Sequence, residues 1–331
     1  MSGRVRSRQF PVFELLCNPV PDILRIERLG TLTMRIAITG ATGFLGRYIV
    51  NHLASQGHAC RCWYRSGSDR GGFDAMERQI EWVPGELGDW RAGASLAEGC
   101  DAVVHAALHH PGGGFRGGEG DVLEFVGKNV LGTLQLIEAT RQAKVGRFVF
   151  ISTCAVHEKI LDDRPLDETH PTWATSHYGA YKAAIEQFVH SYGFGQGYPI
   201  CALRPTGIYG IARPVADSRW FGLVRAVAEG KRVNCRHGGK EVHAADVARA
   251  VEILLTAEAI AGEVYNCYDR YVSEYEVADI AKAQCRSGAE IVGKLTAPKH
   301  EIVTDKLRRL GMRFGGEPLL KQTIRQMLDA L

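Results

Sequence analysis

Two side chains one helical turn apart carry the clearest potential for acid–base chemistry. Tyr178 and Lys182 are separated by Gly-Ala-Tyr, so on a helix they would lie on the same face. An ammonium beside a phenol favours the phenolate and lowers the pKa of the phenol. Such a tyrosine can exchange a proton with an alcohol or carbonyl while hydride moves at a nicotinamide ring. Spacing alone is weak evidence, because a chain with this many tyrosines contains such a pair by chance in roughly one case of three.

Two hydroxyl side chains lie upstream of this pair. The predicted strand 147–152 ends at Ser152, and Thr153 follows it directly. At the carboxyl end of a strand these hydroxyls could hydrogen-bond the oxygen with which Tyr178 exchanges its proton. Cys154 comes next and is interpreted as a packed side chain, since no base adjoins it. The combination favours a catalytic site over a solvated surface pair.

A glycine-rich turn near the start of the chain predicts a phosphate-binding site. The alternating apolar strand 34–39 is followed by Gly40, Gly43 and Gly46, and then by a helical pattern. Gly40 permits the tight turn, Gly43 lets the backbone approach a pyrophosphate, and Gly46 lets the helix pack on the sheet. The helix N-terminus offers N–H groups and a positive dipole to the phosphates. Between a strand and a helix, this spacing favours a dinucleotide site over an ordinary turn.

The elements that would position these residues alternate between strand and helix. Long helical patterns cover 122–143 and 178–192. The predicted strands after the first are 58–64, 80–83, 101–107, 147–152, 200–204 and 263–267. This alternation predicts an α/β fold with a doubly wound parallel (Rossmann) sheet, covered on both faces. We assign residues 34–205 to this NAD(P)-binding domain.

The C-terminal part is smaller, and its pattern of strands and helices is less regular. Residues 205–219 are interpreted as a Gly/Pro-punctuated loop, and residues 206–331 as mainly a substrate-binding part, with 241–267 returning to the Rossmann sheet. Helices are predicted near 219–229, at 245–256, from a capping box at Ser273 to Cys285, and from Pro318 onwards.

Composition excludes several classes of function. The net charge is +3 without a basic stripe, which disfavours nucleic acid, and no apolar run is long enough to span a membrane. The nine cysteines are scattered without a Cys-x-x-Cys pair, which is typical of a reduced cytoplasmic protein. His105, His109 and His110 lack a completing ligand, so we expect no metal site. Residues 1–33 have broken periodicity and three prolines, and we expect a disordered extension rather than a targeting peptide.

Several motifs in a fixed order resemble the extended short-chain dehydrogenase/reductases, the NAD-dependent epimerase/dehydratase family. They extend over nearly all of residues 34–331, and the ordered set is much more specific than any one piece. The pieces are Thr39-Gly-Ala-Thr-Gly-Phe-Leu-Gly46, Val104-His-Ala-Ala107, Asn129-Val-Leu-Gly-Thr133, Phe150-Ile-Ser-Thr153, Tyr178-x-x-x-Lys182, Leu203-Arg-Pro-Thr-Gly-Ile-Tyr-Gly210 and His243-Ala-Ala-Asp-Val-Ala248.

The resemblance implies a role for each matched residue. Tyr178 would be the general acid/base, and Lys182 would hold the nicotinamide ribose and tune Tyr178. Thr153 would orient the substrate oxygen, and Asn129 would support the central helix. The resemblance also implies a homodimer built from the helices around Asn129 and Tyr178. The implied cofactor-binding residues are Gly40, Thr42, Gly43, Phe44, Leu45, Gly46, Arg47, Arg65, Ala106, Ala107, Tyr178, Lys182 and Pro205.

The end of the second strand bears on the choice of cofactor. An acidic residue there suits the ribose hydroxyls of NAD, whereas a cation suits the 2′-phosphate of NADP. Tyr64 stands where the family's acid would be, Arg65 follows it, and Arg47 comes just after the third glycine. A guanidinium matches a phosphate by bidentate geometry, so we favour NADP over NAD, the alternative being that both arginines are solvated.

Departures from the family pattern limit the reactions that the chain is expected to catalyse. Cys154-Ala155 replaces the Asp-Glu pair of the dehydratases, which disfavours dehydration, and Gly207 replaces an Asn that contacts the pyrophosphate in sugar-nucleotide epimerases. Lys240 and Arg213 could bind a phosphate or be solvated.

We expect an NAD(P)-dependent oxidoreductase or epimerase acting on a sugar or sugar nucleotide. The alternatives are an NADPH-dependent ketone reductase resembling the dihydroflavonol reductases, or a non-catalytic dinucleotide sensor, a class that usually lacks the Tyr/Lys pair.

Overall fold

The computed structural model describes residues 33–112 and 117–331, apart from the side chains of residues 74 and 75. The expected extension at 1–33 therefore lies, but for its last residue, outside the described residues.

In chain order the strands are β1 Arg35–Thr39, β2 Ala59–Tyr64, β3 Ile80–Pro84, β4 Ala102–His105, β5 Phe148–Ile151, β6 Ile200–Pro205, β7 Gly207–Tyr209, β8 Val233–Cys235, β9 Gly238–His243, β10 Val264–Cys267, β11 Arg270–Ser273 and β12 Ile291–Gly293. The α-helices are α1 Phe44–Ser55, α2 Trp90–Ala97, α3 Val122–Val126, α4 Gly132–Gln142, α5 His177–Gln196, α6 Phe221–Ala228, α7 Ala244–Thr256, α8 Glu274–Cys285, α9 Asp305–Arg309 and α10 Gly316–Asp329.

Seven strands form the central sheet in the order β3-β2-β1-β4-β5-β6-β10. Every neighbouring pair in it is parallel. The predicted doubly wound α/β fold is therefore confirmed. The strand order reverses between β1 and β4, and ligands of such sheets bind in the crevice outside the carboxyl ends at that point. Gly40 follows β1 there, and Ala106 follows β4.

Apolar side chains cover both faces of this sheet. Ile36 and Ile38 of β1 join one buried cluster, which includes residues of α1 and α7. Ala37, on the opposite face of the same strand, joins a second cluster with residues of α2, α4 and α5. This alternation follows from the two-residue period of a strand. Helices α1 and α5 therefore pack on opposite faces of the sheet.

A second, smaller sheet was missed in the predicted loop 205–219. Residues 207–209 form β7, which pairs in parallel with β9, and β9 pairs antiparallel with β11. A three-residue strand that begins with glycine has little local signal, and its partner lies far along the chain. Residues 241–243, expected in the Rossmann sheet, belong to β9 instead. Within 241–267 it is β10 that joins the seven-stranded sheet, while α7 packs on its face.

The predicted helix over 122–143 is not uniform. A π-helical turn at Gly127–Leu131 separates α3 from α4, and Asn129 is buried within it. Helix α2 was not predicted; its N-cap is Asp89, whose carboxylate accepts hydrogen bonds from the backbone of Arg91 and Ala92. Ser273 is the N-cap of α8 as predicted, its side chain accepting from the backbone of Glu276, whereas the Glu276 carboxylate pairs with Arg270 at 2.6 Å. No helix in the described ranges is long and apolar enough to cross a membrane.

Candidate active site

A cavity of about 970 Å³ opens at the carboxyl edge of the sheet. It runs from the glycine turn past the ends of β4 and β5 to β7 and β9, and its volume is at the upper end for ligand sites. Most of the predicted site residues line it, whereas Arg47 and Asn129 do not. Those that do are Gly40, Thr42, Gly43, Phe44, Leu45, Gly46, Arg65, Ala106, Ala107, Thr153, Tyr178, Lys182 and Pro205.

The glycine turn leaves no room for side chains on the protein side. Gly40 has a φ of +72°, and a Cβ there would lie 2.7 Å from the carbonyl of Ala106. A Cβ on Gly46 would lie 2.0 Å from the Gly40 oxygen. Gly43 caps α1 without any side-chain hydrogen bond, so the first N–H groups of the helix face the cavity without a competing side chain. Such a cradle fits a dinucleotide pyrophosphate.

Arg47 acts within the protein rather than at the cavity wall. Its guanidinium donates to the backbone carbonyls of Thr42 at 3.2 Å and of Asp69 at 2.6 Å, and also to that of Gly71. It also stacks over the ring of Phe73 at 5.0 Å. These contacts brace the 69–71 loop against the glycine turn and engage all three nitrogens of the guanidinium.

Arg65 differs from Arg47 because its guanidinium is available to a ligand. Arg65 is exposed and lines the cavity, and its guanidinium makes no hydrogen bond or ion pair within residues 33–112 and 117–331. Tyr64, where the family's acid would stand, instead packs its ring beneath the guanidinium of Arg70 at 4.5 Å. The end of β2 therefore presents a cation and no carboxylate to the cavity.

Lys182 is held deep beside Tyr178. Helix α5 begins at His177, capped by Ser176, which puts Tyr178 in its first turn and Lys182 one turn later. The Lys182 ammonium donates to the Ile151 carbonyl at 2.6 Å and lies 5.9 Å from the centroid of the Tyr178 ring. Burial lowers the pKa of Lys182 to about 7, an effect that the negative charge of Glu186 opposes. The predicted same-face arrangement is thus present in the fold.

The two candidate hydroxyls have different surroundings. Ser152 donates to the buried carboxylate of Glu186, which also binds Arg204 in a two-point ion pair at 2.7 and 2.9 Å. Thr153 lies on the cavity wall, where its hydroxyl accepts from the backbone N–H of Ala155 at 3.1 Å. The Thr153 hydroxyl keeps its proton for donation to another oxygen, so it is the better placed of the two to contact a substrate.

Asn129 stabilises the loop that follows β4, and His105 links β4 to β1 and α4. The Asn129 amide accepts from the His109 backbone at 2.8 Å and donates back to it at 2.9 Å. His105 is fully buried, with its ring nitrogens hydrogen-bonded to Thr39 at 2.6 Å and Thr133 at 2.9 Å. Burial lowers the pKa of His105 to about 3, so the ring is neutral. Within the described residues no group of three His, Cys, Asp or Glu side chains could hold a metal ion.

A family model for the NAD dependent epimerase/dehydratase family matches residues 36–267. The chain belongs to this family. The sequence resemblance is therefore confirmed, and the protein is an NAD(P)-dependent oxidoreductase or epimerase of the extended short-chain dehydrogenase/reductase type. A nicotinamide dinucleotide is its cofactor.

Relatives of this epimerase/dehydratase family member have several activities. A ketoreductase of Stigmatella aurantiaca, named for a farnesyl dihydroquinoline-oxide substrate, is 33% identical over 244 residues, covering 70% of this chain and 67% of the relative. A UDP-glucose 4-epimerase of Rhizobium leguminosarum bv. trifolii is 32% identical over 159 residues, covering 47% of this chain and 46% of the relative. A 3 beta-hydroxysteroid dehydrogenase/isomerase of Mycobacterium tuberculosis is 31% identical over 194 residues, covering 56% and 51%. The chain thus matches about half the length of the latter two.

Solved structures share the fold of this family member. The Thermus thermophilus UDP-glucose 4-epimerase in complex with NAD has a TM-score of 0.70 at 22% identity, over 90% of this chain and all of that one. The Thermotoga maritima UDP-glucose 4-epimerase with UDP-glucose has a TM-score of 0.73 at 20% identity, over 90% and 99%. At this identity the likeness extends to the fold alone.

Sequence reasoning missed several side chains around the site. Glu186 is one turn beyond Lys182 on the same helix face, a spacing that could have revealed it. Glu119 accepts a 3.3 Å hydrogen bond from the Tyr178 backbone, and no sequence pattern pointed to it. Glu241 is buried on β9 and binds Arg219 at 2.6 Å, and its environment depends on a pairing between β7 and β9 that the sequence did not predict.

Proposed function

We propose that this family member uses NADP(H) to transfer hydride at a secondary alcohol or carbonyl, with Tyr178 as the proton-exchanging group. The observation that carries the proposal is the buried Lys182 ammonium, bound to the Ile151 carbonyl and 5.9 Å from the Tyr178 ring centroid, on the wall of a cavity that begins at the glycine turn. When bound, the nicotinamide ring supplies or accepts the hydride.

In the direction of carbonyl reduction, the chain's residues supply a proton and orient the substrate. The Thr153 hydroxyl donates a hydrogen bond to the carbonyl oxygen and orients it towards Tyr178. The Tyr178 hydroxyl gives its proton to that oxygen as negative charge develops there, which leaves a phenolate. The Lys182 ammonium stabilises this phenolate because opposite charges at short range favour the ionised phenol. A proton from solvent then restores Tyr178, and oxidation of the alcohol runs through the same steps in reverse.

NADP is proposed over NAD because of Arg65. The guanidinium lines the cavity at the end of β2, and Tyr64 offers no carboxylate to the ribose hydroxyls. Substituting Arg65→Ala is expected to weaken NADPH binding far more than NADH binding. Arg70→Ala is the matched control, since Arg70 stacks on Tyr64 and does not line the cavity. Equal losses for the two cofactors in Arg65→Ala would contradict this choice.

For the substrate, we propose a sugar or a sugar derivative, as in the epimerase relative. A second candidate is net reduction of a ketone, which is favoured by the ketoreductase relative and by Gly207, where sugar-nucleotide epimerases carry an asparagine. A non-catalytic sensor is disfavoured by the intact Tyr178 and Lys182 pair.

A substrate screen followed by nicotinamide absorbance tests these alternatives. Sugar nucleotides and free sugars are supplied with NADP+, small ketones with NADPH, and products are analysed by NMR. A reductase consumes NADPH in proportion to product, whereas an epimerase that starts from NADP+ forms product with no net change in the cofactor. Stable binding of NADP+ and NADPH with no turnover across the whole panel would favour the sensor and contradict the proposed enzyme.

A further inference from the structure

Lys240 places an unpaired cation on the cavity wall. It lies on β9, is half-buried and lines the cavity. Within the described part of the chain its ammonium makes no hydrogen bond and no ion pair. Burial lowers the pKa of this lysine, and the charges of Cys154 and Glu301 oppose that effect. The ammonium is therefore available to a ligand in the cavity.

Thr206 and Lys240 come directly before the first paired residues of two neighbouring strands. The register of β7 and β9 begins with Gly207 opposite Glu241, and Thr206 and Lys240 are one residue earlier on the two chain segments. Both residues line the cavity. The hydroxyl of Thr206 is buried with no hydrogen-bond partner, which leaves a second unsatisfied donor next to the ammonium.

The opposite face of the same strands is closed by a carboxylate. Glu241 is 1% exposed. Its carboxylate oxygens fill the space beside two glycines that a side chain there would need. A Cβ on Gly207 would be 2.5 Å from one carboxylate oxygen, and a Cβ on Gly239 would be even closer to the other. Arg219, the other cation at this end of the cavity, is bound to Glu241 at 2.6 Å. Arg219 therefore already has a partner within the protein.

We propose that Lys240 and Thr206 form a carboxylate-binding subsite that determines substrate specificity. The ammonium would hold one carboxylate oxygen and the hydroxyl would donate to the other, so that both donors are satisfied. One ammonium with one hydroxyl matches a single carboxylate. The diphosphate of a nucleotide sugar carries two negative charges, and Arg219 is already paired with Glu241. This inference rests on the proposed hydride transfer and specifies the substrate class.

Matched pairs of small molecules test the subsite on the NADPH-loaded protein. The probes are D-galacturonate with D-galactose, pyruvate with methyl pyruvate, and UDP-galactose with galactose 1-phosphate. Binding is measured by the change in NADPH fluorescence. The carboxylate member of at least one of the first two pairs is expected to bind roughly ten- to a hundredfold more tightly than its neutral partner, the range for a hydrogen bond to a charged group.

Variants assign that preference to the two residues. Lys240→Met is expected to abolish the preference and Thr206→Val to reduce it, while Lys240→Arg retains part of it. Lys231→Met is the matched control, because Lys231 is exposed and pairs with Glu229. No preference for a carboxylate, a preference that survives in Lys240→Met, or tightest binding of UDP-galactose or galactose 1-phosphate would each overturn the inference. Failure to bind NADPH at all would instead overturn the proposed function.

Discussion

The ammonium of Lys182 donates a 2.6 Å hydrogen bond to the backbone carbonyl of Ile151, the last residue of β5. This bond ties helix α5 to the strand end that carries Thr153. It therefore sets the position of Tyr178 relative to the hydroxyl that orients the substrate. Glu186, one turn further along α5, reaches the same strand end by accepting from Ser152. The proposed acid–base residues are thus held by two contacts between one helix and one strand.

Cofactor binding is expected to take up a proton at Lys182. Burial lowers the pKa of Lys182 to about 7 in the cofactor-free protein, so at about pH 8 the amine is mostly neutral. The negative charges of NADPH favour the ammonium and raise its pKa, so up to about one proton is taken up per site. Calorimetric titration in buffers of different ionisation enthalpy measures this number. Lys182→Met should lose the uptake, and an unchanged number in that variant would refute the assignment.

The stability of the protein is expected to fall with rising pH because of Glu241. Burial raises the pKa of Glu241 to about 7, and Arg219 only partly opposes this. Below about pH 4 the Glu241 carboxyl is protonated in both the folded and the unfolded state, so it takes nothing from the free energy of unfolding. Above that pH the unfolded state ionises first, and the free energy of unfolding falls by up to about 3 kcal/mol by about pH 7. Glu241→Gln cannot ionise and should escape this loss.

Melting temperatures across this pH range test the prediction for Glu241. The difference between Glu241→Gln and the wild type should grow in favour of the variant as pH rises. Glu290→Gln serves as the control, since Glu290 is exposed and pairs with Arg232. Parallel pH profiles for the wild type and Glu241→Gln would mean that Glu241 is ionised at little cost.

A homodimer is proposed through the helices around Asn129 and Tyr178. Leu123 is 78% exposed and Leu131 is 54% exposed, and Phe188 of α5 is also exposed. These side chains form part of an apolar surface that a second copy would cover. Leu123→Glu combined with Leu131→Glu should convert a dimer into a monomer by light scattering at micromolar concentration. A monomeric wild type would count against the dimer.

Other apolar residues of these helices give the dimer no support. Leu136, Ile185 and Val189 are apolar residues on the same two helices. All three are buried within the chain, in the cluster that covers the central sheet. Only some of the apolar residues of these helices are therefore available to a partner.

Local sequence signals predicted the parts of the site that depend on a single turn or helix. The glycine turn needs residues without a Cβ at fixed spacing, and Tyr178 and Lys182 share a face wherever a helix forms. Both signals are contained within a few residues. The seven central strands were also predicted, because each is a short apolar run, whereas helix α2 between β3 and β4 was not.

Features that depend on pairing between distant segments could not be predicted. Lys240 and Thr206 become neighbours only through the register of β7 with β9, and Gly207 gave no strand signal. The sequence likewise offered Arg47 and Arg65 as equivalent phosphate ligands. Their difference arises from Asp69 and Gly71, whose carbonyls engage Arg47 from a loop. Tertiary hydrogen bonds of this kind do not produce a periodic pattern of residues in the sequence.

The most direct test of the account is the rate of hydride transfer in Tyr178→Phe, measured with NADPH and the carbonyl compound that the wild type reduces fastest. The phenol supplies the proton, so the rate should fall by about a hundredfold or more while NADPH affinity stays within a few-fold. Tyr181→Phe is the matched control on the same helix, where the hydroxyl is buried away from the cavity. Its rate should remain close to that of the wild type. Near-wild-type hydride transfer in Tyr178→Phe would contradict the proposed mechanism.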